Sequence, residues 1–129
     1  MPLKLTLGMD EKLIVNGAVI RSRADGVSLV FENQAHILRQ KDILTADNAT
    51  TPAARVYLAL QCAYLFPERR AAHLKDFHGL LADYVEAAPS AEKTADAIRV
   101  KVEADQLYNA LKQCRRLIDH ETELLRYVH

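Results

Sequence analysis

The chain contains no tryptophan and only 4 glycines, 4 prolines and 2 cysteines in 129 residues, and neither sign of charge is in excess, Lys+Arg and Asp+Glu standing at 17 each. Each shortage excludes something. With so few glycines there is no phosphate-cradling loop and no dinucleotide fingerprint, which need several at fixed spacing beside a strand–helix junction. Balanced charge leaves no global field to draw the molecule to nucleic acid or an acidic membrane, so any such role must rest on a local patch. Cys62 and Cys114 lie far apart in helix-like segments, and Met1-Pro2 is not followed by a basic and then an apolar leader region. Reduced, buried thiols and a cytoplasmic protein are therefore expected, in preference to a disulfide framework. No apolar run approaches the roughly 18 residues of a membrane span. Sparse glycine and proline with 50% hydrophobic residues exclude disorder and imply a globular fold.

The residues that usually carry chemistry are not arranged for it. His36, His73, His78, His120 and His129 form no HExxH, CxxC or Cys–His spacing that would converge on a metal. Ser22, Ser28 and Ser90 have no nucleophile elbow around them. Asp119-His120-Glu121 sets an imidazole among carboxylates, but with no pocket signal it reads as a helix surface with local ion pairs. Catalysis is set aside, and no cofactor or metal is expected.

What remains is a change of period part-way along the chain. Leu3-Lys4-Leu5-Thr6-Leu7 alternates, a half-buried strand with its leucines inward and Lys4 and Thr6 outward. Leu13-Ile14-Val15 and Ala18-Val19-Ile20 flank Asn16-Gly17, a pair that accepts positive φ, so a tight type I′ hairpin is expected. Asp25-Gly26 precedes another strand, Val27 to Glu32, and His36 to Arg39 reads as one more. From Thr51, an N-cap followed by Pro52 at the first helical position, the period becomes helical. Phe66-Pro67 breaks the first helix at about Leu65, and Leu74, Phe77, Leu81, Tyr84 and Val85 mark a second that Pro89 ends. Ser90 is placed to cap a third helix to about Ala104. Beyond it Leu107, Leu111, Cys114, Ile118 and Leu125 share a face. A break at Ala104-Asp105, with Asp105 capping a fourth helix, is favoured over one continuous helix. The expected class is α+β: a β-rich module over residues 1–48 with four or five short antiparallel strands, then a helical module over 49–129 with three or four helices.

Binding is the chemistry left. If the first and last strands lie together, Lys4, Thr6, Arg39 and Lys41 line one edge, with Lys12 at the start of the second strand, a donor-rich strip able to contact RNA phosphates and base edges. Solvated strand faces would look the same, and Phe31 is the only aromatic in the module for stacking. The helices carry the doublets Arg69-Arg70 and Arg115-Arg116, the former in a first helical turn where the macrodipole disfavours cations. Their apolar faces fit intramolecular packing, with Leu74, Phe77, Leu81 and Tyr84 against Leu107, Leu111, Cys114 and Ile118, or the docking of a partner.

The stretches MPLKLTLGMDEKLIVNGAVI and ILRQKDILTADNATTPAARVYLALQCAYLFPE closely resemble the FlbT family of flagellin-synthesis regulators. That resemblance implies a post-transcriptional regulator acting on the 5′ untranslated region of flagellin mRNA, usually as a repressor, with FlaF a functional partner and FlaF or flagellin possible ligands of the helices. LKLTLGMDEKLIVNG is also similar, more weakly, to the opening of CsrA, a β-rich translational repressor whose RNA edge uses its first and last strands. Leu5-Thr6 fits that pattern, whereas Leu7 stands where an arginine is expected, Asp10 replaces a turn glycine and the last-strand position falls near Gln40, between Arg39 and Lys41. This likeness, with the exposed edges of so short a sheet, leads to the expectation of a homodimer.

Overall fold

The structure, a computed structural model, describes residues 2–126, which form two compact units dividing between Ile43 and Leu44. The first unit holds five strands: β1 (Leu3–Leu7), β2 (Lys12–Val15), β3 (Ala18–Arg21), β4 (Val27–Phe31) and β5 (Ile37–Arg39), followed by a 3-10 turn at Gln40–Asp42. They make two antiparallel sheets, one of β1 and β4, the other in the order β3-β2-β5. Asn16 at φ 50° and Gly17 at φ 87° close the β2–β3 hairpin as expected of a type I′ turn. The first and last strands are not paired. Leu3 lies opposite Phe31 on β4, and Leu13 lies opposite Arg39 on β5. Leu7, Leu13, Ile14 and Leu38 form the unit's apolar core, but the alternation of β1 is incomplete in burial, because Leu3 at the strand's start remains 46% exposed.

The second unit contains α1 (Pro52–Leu65), α2 (Arg70–Ala87), α3 (Glu92–Glu103) and α4 (Leu107–Arg126). Thr51 caps α1 by accepting from the Ala54 N–H, and Pro52 occupies its first turn. The amide of Gln61 donates to the Leu44 carbonyl at 2.8 Å and accepts from its N–H at 2.9 Å, holding the start of the unit on α1. α1 is the hub: it packs on α2 and on α4, while α3 packs on α4. The apolar faces of α2 and α4 are thus core, but α2 is buried mainly against α1 and α4 against both α1 and α3, instead of against each other. Val56, Tyr57, Leu60 and Tyr64 of α1 are all buried. Leu125, expected on the inward face of α4, is 46% exposed, whereas Leu117 is buried.

Two expected caps are corrected. The break between α3 and α4 exists, but Asp105 ends α3 and does not cap α4. Its φ is 58°, its N–H bonds the Val102 carbonyl and the N–H of Gln106 bonds that of Lys101, the paired bonds of a Schellman motif. Ser90 caps no helix, because its hydroxyl is taken by His120, and α3 begins without a side-chain cap. Arg70 answers the mild anomaly of a cation in a first turn by donating from Nε to the Ala63 carbonyl at the end of α1.

Candidate functional site

The turn between β1 and β2 organises the basic side chains of the first unit. Glu11 Oε1 accepts the Gly8 N–H at 3.0 Å, and the carboxylate also receives Nε and Nη2 of Arg39, the closest contact being 3.0 Å. The Gly8 N–H, then the Arg39 guanidinium, hold the Glu11 carboxyl below its ordinary range. Arg39 Nη2 reaches on to the Thr6 carbonyl at 2.8 Å. A guanidinium from β5 therefore crosses to β1, joining strands of different sheets by a side chain where no backbone ladder does.

This places the five residues singled out from sequence. Thr6 and Arg39 are in direct contact. Lys4 lies two residues before Thr6 on the same face of β1, and both are exposed. Lys41 sits in the turn that follows Arg39 and is exposed too. Lys12 is not brought to them: Arg39 lies opposite Leu13, so Lys12, one residue away on a strand, projects from the other face of its sheet, opposite Arg21. The N–H of Lys12 donates to Gln40 Oε1 at 2.6 Å, so Gln40 braces the turn. Sequence reasoning passed over Glu11. The available signal was a carboxylate three residues beyond a glycine, the spacing that closes a turn on its own N–H.

The second unit contains a polar cluster that sequence reasoning placed on a surface. Glu121 is buried, and its Oε2 accepts the Ala53 N–H at 3.0 Å, putting an anionic side chain at the N-terminus of α1. His120 bridges the Tyr84 hydroxyl at 2.9 Å and Ser90 Oγ at 2.8 Å. Burial, then the Glu121 charge, push the Tyr84 hydroxyl up to about 12. Each bond joins α4 to another element, α1 through Ala53, α2 through Tyr84 and the 3-10 turn Pro89–Ala91 through Ser90, so these groups serve as ties between elements. Both cysteines are free; Cys62 is half-buried and Cys114 buried, and burial raises both thiols, that of Cys114 to about 12. Among the described residues no group of three or more His, Cys, Asp or Glu is placed to hold a metal, and no helix is long and apolar enough to cross a membrane; His129 lies outside those residues.

The family model of the flagellar protein FlbT matches residues 3–125, spanning both units. The chain belongs to the FlbT family. A Caulobacter sp. (strain K31) relative named probable flagellum biosynthesis repressor protein FlbT is 35% identical over 99% of each chain. One of the same name from Rhodopseudomonas palustris (strain TIE-1) is 36% identical over 97% of this chain and 98% of its own. The flagellum biosynthesis repressor protein FlbT of Caulobacter vibrioides (strain ATCC 19089 / CIP 103742 / CB 15) is 37% identical over 99% of this chain and 92% of its own. No solved structure matches the chain, so the likeness of its opening to CsrA rests on that stretch of sequence alone. The FlbT match is collinear with the whole described fold.

Proposed function

We infer that this FlbT-family chain represses flagellum biosynthesis in the cytoplasm by binding the 5′ untranslated region of flagellin mRNA through its β unit. The names of its relatives supply the repressor role. The observation carrying the RNA reading is the Arg39 bridge to Thr6, which ties β1, the strand bearing Lys4, to the end of β5, two residues before Lys41, in a chain otherwise without net charge. In this reading Lys4 and Lys41 contact phosphates, the Thr6 hydroxyl bonds a phosphate or a 2′-OH, and Arg39 chiefly positions β1, because Glu11 already holds its guanidinium. Lys12 extends the contact around the sheet. Changing Lys4, Lys12 and Lys41 together to alanine tests it, since all three are exposed and the fold should stand. Loss of leader-RNA binding by the folded variant supports the assignment; binding equal to the parent's refutes it.

A second reading rests on the helical unit, where Val100 is 63%, Leu124 40% and Leu125 46% exposed. There the helices dock FlaF or flagellin, and the effect on the mRNA is indirect. Val100→Glu and Leu124→Glu then abolish partner capture without affecting RNA, the reverse of the triple lysine variant.

A further inference from the structure

The β3 strand is exposed at every residue, Val19 at 65% and Ile20 at 42%. It is also an open edge, lying at the end of the order β3-β2-β5. The phase of its ladder follows from two pairings: Ser22 N–H bonds the Glu11 carbonyl, and the two-residue turn makes Val15 and Ala18 a hydrogen-bonded pair, so the backbone groups of Ala18, Ile20 and Ser22 face β2. The N–H and C=O groups of Val19 and Arg21 consequently point away from the sheet. Nothing on this strand resembles the devices that blunt an edge: it has no proline and no bulge, and its one charge, Arg21, lies 4.0 Å from Asp10.

We propose that β3 is the contact surface for a second copy of this chain, the two β3 strands pairing antiparallel about a two-fold axis at Ile20. In that register Val19 of one copy faces Arg21 of the other, and the four outward backbone groups of each strand are satisfied by the same four of its partner. The two Ile20 side chains meet on the axis, and the two Arg21 side chains stay apart. Self-complementarity is what selects a second copy: one strand supplies in its own reverse direction every donor and acceptor it lacks. The size of the unit favours the same occupant. Residues up to 43 bury only Leu7, Leu13, Ile14 and Leu38 as large apolar side chains, a small core of the kind that association commonly supplements. A strand pair this short lies at the small end of specific interfaces, so the dimer is reversible and depends on concentration. The inference stands apart from the RNA reading, and neither fails with the other.

Sedimentation velocity of the full chain from about 1 to 200 µM, spanning weak to moderate affinities, reads the equilibrium. Val19→Pro removes an outward donor while leaving the β2 ladder intact, the one kind of strand position where proline is tolerated. It should raise the dissociation constant about ten- to a hundredfold, two of the four inter-chain bonds being lost. Ile20→Lys, which places two like charges on the axis, serves the same purpose should the proline variant unfold. In a Cys62→Ser background, Ile20→Cys should oxidise to a disulfide-linked dimer, because a non-hydrogen-bonded antiparallel pair sets Cα atoms about 4.5 Å apart. Asn109→Cys, exposed on α4, should stay monomeric under the same oxidation. A parent that is monomeric throughout, or a dimer indifferent to both folded β3 variants, overturns the proposal.

Discussion

Replacing Glu121 with alanine removes the hydrogen-bond acceptor of the Ala53 N–H, at the second helical position of α1. Ala53 is 0% exposed, so water cannot take over, and the orphaned donor costs about 1–3 kcal/mol. Losing a carboxylate from the positive end of the helix dipole adds about 0.5–1 kcal/mol. Glu121→Ala is therefore expected to destabilise the protein by about 2–4 kcal/mol, lowering a urea midpoint by about 1–2 M for a chain of this size. Glu121→Gln keeps an acceptor and loses only the charge, so it should cost about 1 kcal/mol. The pair separates a hydrogen-bonded cap from simple packing. An alanine variant within about 0.5 kcal/mol of the parent, or a glutamine variant as damaged as the alanine one, refutes the reasoning.

Three further outcomes follow from the same structure. The Glu11 carboxyl should titrate below 4.5 by NMR; its pKa being depressed on folding, the stability it lends is present above the unfolded value and lost as pH falls through the folded one, and a midpoint at or above 4.5 counts against the Gly8–Glu11–Arg39 geometry. Tyr84 should ionise at about 12 by ultraviolet absorbance; here the folded pKa is raised, so its contribution is present below the unfolded value and lost as pH rises toward the folded one, and ordinary ionisation near 10 contradicts its burial. Asp105→Gly should stabilise by about 0.5–1 kcal/mol in thermal melts, since glycine adopts the positive φ of the α3 terminus without strain, whereas an unchanged or lower midpoint contradicts the Schellman geometry.

What was legible in the sequence was local. Asn16-Gly17 specifies its turn because positive φ at both residues is a property of those residues, and Thr51-Pro52 marks the start of α1 for the same reason. What was not legible depends on partners far along the chain. Period two says that β1 is a strand but not that β4 is its neighbour, and an edge imagined between first and last strands became a single guanidinium contact. Glu121 reads as a surface carboxylate until α1 presents the Ala53 N–H, 68 residues away, and Ser90 reads as a cap until His120 claims its hydroxyl. Of the five candidate RNA contacts, strand parity alone separates Lys12 from Arg39, and that parity could be applied only once β5 was known to pair with β2.

The central claim, that the β unit contacts flagellin leader RNA, is tested most directly by measuring the affinity of the unmodified protein for that RNA across a salt series. Three or four phosphate contacts from Lys4, Lys12, Lys41 and their neighbours give a log–log slope of about −2 to −3. Undetectable binding, or an affinity that does not change with salt, would contradict it.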